Sequence, residues 1–286
     1  MQRRDALPRR LRPLPGRAHR DLVASLNTPP KLVERGLKEL IVEDERSFRH
    51  VGLYRDLKDV LGDYRFRVLP EELRGRWDRA LLLNLTFWGA NEGGDVLVSE
   101  EIPADVVAHV AWHHLAANAL APNGGAMSAD ALFLGESIAS AFDLYLVGRL
   151  LGFSPNSTFL ASQVEAIADS AAGAGMSDTD FNAMLEGVAA DPERAFEDLR
   201  ELLFDATSAL VAAKSATDAL VVLSTFDAHR FGALLHHYEL SNWVLYARAY
   251  ASTLAPDPVV RAIDTSLRAA PVALDWLSAK WLAEKK

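Results

Sequence analysis

Residues 103–151 read PADVVAHVAWHHLAANALAPNGGAMSADALFLGESIASAFDLYLVGRLL. Pro103 is placed to open a helix, where its missing N–H costs nothing. Helical sequence then runs to about Leu120, and Ala121-Pro122-Asn123-Gly124-Gly125 stops it. Ser128 suits an N-cap, and a second run continues to Leu151 with Gly152 behind it as terminator. The Gly-rich turn folds the second helix back antiparallel on the first. Two long helices joined in this way predict a mostly α fold.

Outward from this pair the same signals repeat. Upstream, Thr28-Pro29-Pro30 reads as a capped helix start, and Leu32, Val33, Leu37 and Leu40 follow at helical spacing. Further amphipathic stretches run from about Asp44 to Leu61 and from Pro70 to Trp88. Asn91-Glu92-Gly93-Gly94 breaks the pattern. Asp95–Ser99 alternates weakly and predicts one short strand or hairpin. Downstream, Ser154-Pro155 and Ser177 mark two starts, and Asp191-Pro192 opens a segment reaching roughly Ser224. Helices from Asp227 to Leu254, Pro256 to Arg268 and Pro271 to Leu282 complete the chain. No internal repeat or long linker divides it, so residues 28–286 are expected to form a single multi-helix domain. Residues 1–27 precede it as an Arg/Pro-rich arm.

The 286 residues carry 30 basic and 39 acidic side chains, a formal net charge of −9. That balance argues against general nucleic-acid binding, which needs a basic face. The arm is the exception: Arg3, Arg4, Arg9, Arg10, Arg12, Arg17 and Arg20 could meet an acidic partner or anionic lipid, or simply be solvated. The absence of cysteine removes disulfides, thiolate nucleophiles and thiolate metal sites. Leu7, Leu11 and Leu14 are too interrupted for a secretory signal. The apolar runs Ala80–Trp88 and Ala219–Phe226 are too short to cross a bilayer. The expectation is a cytoplasmic protein that does not span a membrane. No phosphate-binding loop, dinucleotide fingerprint or nucleophile elbow is present.

His109 and His113 are four apart, so on a helix two imidazoles face one side a turn apart and can reach one metal ion. A carboxylate from the next helix would complete the set, and Glu136 in Gly135-Glu136-Ser137-Ile138-Ala139 is placed for it. The alternative stays open: His109 as a hydrogen-bonded core histidine, His113 or His114 at the surface, and Glu136 on a solvated face.

From Asp105 to Gly148 the chain resembles the gluzincin-type zinc metallopeptidases, which carry His-Glu-x-x-His on one helix and a Gly-Glu-x-x-Ala-like segment on the next. The resemblance implies zinc held by His109, His113 and Glu136. It also implies a general base at position 110, where this chain has Val110, and an orienting Asp at 140, where it has Ser140. Ser140 and Asp143 are the candidates for supporting a ligand histidine. Glu100 and Glu101, just before the first helix, could replace the base if their loop covers the metal, or could simply favour a helix N-terminus. His229, His236 and Tyr238, on the expected late helix, occupy the chain position of a gluzincin oxyanion stabiliser. Asp227, His229 and His236 could alternatively form a separate metal site.

Trp243, Tyr246, Tyr250 and Leu254 read as a buried stripe; Trp276 and Trp281 read as core or as a self-association surface. The functional expectation is a degenerate zincin-like protein with a non-hydrolytic binding or scaffolding role. The alternatives are an active metal-dependent hydrolase with its base outside the motif, and a metal-free helical module that binds a protein partner or itself.

Overall fold

A computed structural model describes residues 31–78, 80, 95–121, 125–154 and 156–283. The Arg-rich arm, the Thr28-Pro29-Pro30 start, residues 79 and 81–88 of the stretch ending at Trp88, the Asn91–Gly94 break and the centre of the turn at 121–125 lie outside the described residues.

The chain is mostly α. Helices α1 (Gly52–Val60), α2 (Ala104–Leu120), α3 (Ala129–Leu150), α4 (Thr158–Gly173), α5 (Asp178–Ala190), α6 (Pro192–Leu210), α7 (Ala216–Ser224), α8 (Leu240–Tyr250), α9 (Pro258–Ala269) and α10 (Ala273–Leu277) follow one another. A π-helical turn at Ser278–Leu282 comes last. One apolar core runs through all of them, from Leu37 to Trp281. Its axis is α3, in which every residue except Leu132, Asp143 and Arg149 is buried. α3 packs most extensively against α6, then against α2. Its length and composition match those of a membrane span, yet 89% of its most apolar window is buried by the other elements.

Local chemistry explains where the helices begin. The Ser128 hydroxyl accepts the Ala131 N–H at 3.2 Å and donates to Asp257 at 2.8 Å, fixing the start of α3 to that of α9. Ser157, Ser177, Asp191, Ser215 and Asp257 cap α4, α5, α6, α7 and α9 in the same way. Gly152, at φ +81°, follows α3 in the left-handed conformation that favours glycine.

Several expectations are corrected. Leu32–Leu40 is not a helix: Val33–Gly36 forms strand β1 and Leu37–Glu39 a single 3-10 turn. Val33 is exposed and the strand pairs antiparallel with β3 (Arg65–Val68), Val33 opposite Val68, a non-local partner that local spacing cannot reveal. The strand expected near 95–99 is β4 (Val96–Leu97), parallel to β3. β2 (Ile41–Glu43) pairs in parallel with β5 (Glu101–Pro103). The segment 191–224 breaks after Leu210, where the chain turns before the Ser215 cap. The segment 227–254 is α-helical only from Leu240 to Tyr250. Turns and a single 3-10 turn at Gly232–Leu234 fill 225–239, and a side chain at Gly232 would strike the Phe226 carbonyl. The aromatic stripe is accordingly incomplete, with Trp243 half-buried and Tyr250 and Leu254 exposed.

One ion network is enclosed. Arg200 on α6 is fully buried and pairs with Glu197 one turn earlier and with Asp264 of α9 at 2.6 Å. Asp264 also holds Arg268 at 2.8 Å, and Arg268 reaches Asp205 at 2.8 Å.

Gly148 marks the closest approach of α3 to its neighbours: an added Cβ would lie 2.6 Å from the Val188 carbonyl and 3.1 Å from Pro192. Both obstacles belong to packed backbone and ring, so Gly148→Ala is expected to cost about 1–3 kcal/mol. Urea unfolding of the variant checks this, and an unchanged midpoint would mean that α3 can part from the α5–α6 corner freely.

Candidate metal centre

α2 and α3 bring the three proposed ligands together. A ligand atom from each of His109, His113 and Glu136 lies within 4.8 Å of the others. The helical spacing puts the two imidazoles one turn apart, with their Nε2 atoms facing at 3.1 Å. Glu136 Oε2 reaches to 3.7 Å from His113 Nε2, and its residue is buried. Tetrahedral coordination at about 2.0–2.1 Å would hold two imidazole nitrogens roughly 3.3 Å apart. The facing pair is already close to that separation, and the donor set of two neutral nitrogens and one carboxylate suits a borderline divalent ion. The residues therefore fit a metal ion.

Support comes from Asp143, two turns after Glu136. Its Oδ2 lies 3.1 Å from His109 Nδ1, which directs Nε2 towards His113 and Glu136. Asp143 Oδ1 is buried without a hydrogen-bond partner among the described residues. Ser140, where the resemblance puts the orienting residue, is buried, but the imidazole's bond is made by Asp143.

The electrostatics follow from burial and crowded carboxylates. Burial by itself would depress His109, but Asp143, Glu136 and Asp95 outweigh it and push the imidazole up to about 9. Burial and the charge on His109 together push His113 well below its ordinary value. Burial pushes Glu136 up to about 8; His109 opposes the rise, and Asp95 and Asp143 add to it.

The other sequence candidates are placed as follows. Val110 is buried in the core beneath α2. Glu100 pairs with Arg35 at 2.9 Å and Glu101 with Arg74 at 3.2 Å, so both are engaged at the edge of the strands. His229 accepts the Phe231 N–H at 3.1 Å in the 225–239 turns, and His236 is exposed. With no helix beneath them, His229 and His236 do not share a face. Among the described residues, Asp227, His229 and His236 form no metal-competent group. Tyr238 does approach the centre: burial and then Asp143 raise its phenol far above the usual range.

Three further residues belong to the neighbourhood. Asp105 stands one turn before His109, and burial together with Asp143 pushes its carboxyl up to about 6. Its four-residue spacing from His109 was visible in the sequence. Asp95 accepts the Tyr64 hydroxyl at 2.6 Å and acts on both His109 and Glu136. Tyr246 of α8 is pushed up to about 12 by burial, Tyr250 and Glu136. Neither of these last two has a spacing that links it to the histidines.

No protein family, curated sequence or solved structure matches this chain. The reading of the centre therefore rests on its own chemistry.

Proposed function

We propose that this chain is a zincin-like metal-binding protein whose hydrolytic base has been lost. His109, His113 and Glu136 hold one divalent ion, zinc, and the working role is binding or scaffolding. The observation that carries the reading is the Asp143–His109 contact. A carboxylate on the far nitrogen of an imidazole, with a second imidazole and a buried Glu at the near nitrogen, is the arrangement that supports a ligand histidine. Val110 supports the loss of hydrolysis, because its side chain can accept no proton. Bound zinc would supply Lewis acidity to an oxygen placed against it.

The test is the metal content of the purified full chain. One zinc per chain is expected, absent from His109→Ala and from Glu136→Ala. Asp143→Asn is expected to keep the site but weaken it by about 10–100-fold. A chain that takes up no metal after incubation with zinc, while remaining folded, removes the proposal.

A second reading, a metal-dependent hydrolase with its base outside the motif, is favoured by Asp105. Its carboxyl, held near 6 one turn from His109, has the basicity that proton abstraction near neutral pH requires. Zinc-dependent cleavage of an unfolded substrate such as casein, abolished by Asp105→Asn with zinc content intact, selects this reading over the first.

A further inference from the structure

Away from the metal centre, the end of α6, one side of α7, the turn at 235–239 and α8 as far as Arg248 enclose a half-open cavity of about 640 Å³. That volume falls within the range of about 300–1,000 Å³ that small-molecule sites occupy. Leu223, Leu235 and Val244 contribute to an aliphatic wall, and the one ring in the lining is the imidazole of His236.

The polar lining is biased towards positive charge, in a chain whose net charge is −9. Lys214 and Arg248 both line the cavity, and neither has a carboxylate within ion-pair distance among the described residues. The Arg248 guanidinium is instead pinned to the Val211 carbonyl at 3.0 Å and to the Ala213 carbonyl, which fixes its charge at the rim. No side chain caps α8, and its first residues, Leu240 to Asn242, line the same space with the positive end of the helix. The one lining carboxylate, Glu239, accepts the Asn242 amide at 2.6 Å.

Lys214 and Arg248 outnumber the one lining carboxylate, Glu239, and beside the aliphatic wall this excess of positive charge calls for a negative head on an apolar chain. The geometry points to this cavity as a binding site for a free single-chain carboxylate, the fatty-acid class of amphiphile. The carboxylate lies between Lys214 and Arg248, and the chain lies against Leu223, Leu235 and Val244. The inference is independent of the metal centre, because none of these residues belongs to it.

Isothermal titration of the full chain with dodecanoate, kept below its micelle-forming concentration, tests the inference. Saturable one-to-one binding is expected, with no binding of dodecyltrimethylammonium. Lys214 is exposed and its side chain makes no ion pair that the fold depends on, so Lys214→Glu should fold normally and weaken binding by about tenfold or more. Lys214→Arg should retain binding. Ala219→Trp, which fills the cavity from α7, should abolish it while leaving the circular dichroism spectrum unchanged. Equal binding of the cationic and anionic amphiphiles would overturn the assignment. So would dodecanoate affinity unchanged in both Lys214→Glu and Ala219→Trp, or binding to anionic phospholipid vesicles with none to free dodecanoate.

Discussion

Replacing Arg200 with alanine is expected to lower the unfolding free energy by about 3–5 kcal/mol, a large share of what holds a domain together. Arg200 has no exposed surface and is the charge shared by Glu197 and Asp264. Taking it away leaves two buried carboxylates facing each other in low dielectric, and Arg268 reaches only one of them. The penalty is therefore the cost of stranded charge rather than of a lost contact. A triple replacement, Arg200→Met with Glu197→Gln and Asp264→Leu, removes that charge together with its partner and should recover most of the loss. Urea unfolding of the two variants separates these outcomes. If the single change costs under 1 kcal/mol, water reaches the network and its buried position counts for little.

The second large effect is the pH dependence of zinc uptake. A metal ion takes its ligands deprotonated. At pH 7, His109, held at about 9 against the pull of burial chiefly by Asp143, carries a proton. Glu136, pushed up to about 8 by burial, carries another. His113, pushed well down by burial and by His109, is already neutral and releases none. Two protons must leave for each ion bound, so affinity falls as pH falls. It should change by about 100-fold per pH unit between 6 and 8, by about tenfold per unit from there to 9, and little above. Calorimetric titration of zinc in buffers of different ionisation enthalpy, repeated from pH 6 to 9, counts the protons directly. An affinity that does not move with pH would place zinc elsewhere, on groups already deprotonated at pH 6.

Much of the helical frame was legible because its signals are local. Pro103, Ser128, Ser177 and Asp191 stand in the sequence at the positions where helices start, and capping requires only residues two or three apart. Of the strands, only β4, within the weakly alternating Asp95–Ser99, was legible. β1 owes its conformation to Arg65–Val68, some thirty residues on, and β2 to Glu101–Pro103. The late segment was misread for a different reason: its apolar spacing is helical throughout, but the chain closes on itself at Gly232 and restarts at Glu239, which has a left-handed backbone.

At the centre, the i, i+4 pair and the Gly-Glu segment brought out His109, His113 and Glu136, and Asp143 was within reach as a supporting residue. Asp105 shares that periodicity, but its character beside the ligands was not legible, because burial and Asp143 set it. Asp95 and Tyr246 come from a strand edge and a distant helix, where only tertiary packing sets the distance. Glu100 and Glu101 show the converse, since proximity along the chain placed them near the site while Arg35 and Arg74 engage them elsewhere.

Glu136 and Asp143 sit on α3, the most enclosed helix of the molecule. Amides in such a helix exchange with solvent only when the whole structure opens, so their protection measures global stability. A ligand bound through α3 therefore cannot act locally: its binding free energy adds to the barrier that every slow amide must cross. Zinc at a hundredfold excess over its dissociation constant would slow exchange along the entire helix by about 100-fold, as far from the ion as Leu150. Occupancy of the centre would be written into the lifetime of the fold itself, and a cell that withheld the metal would shorten that lifetime without altering a single surface residue.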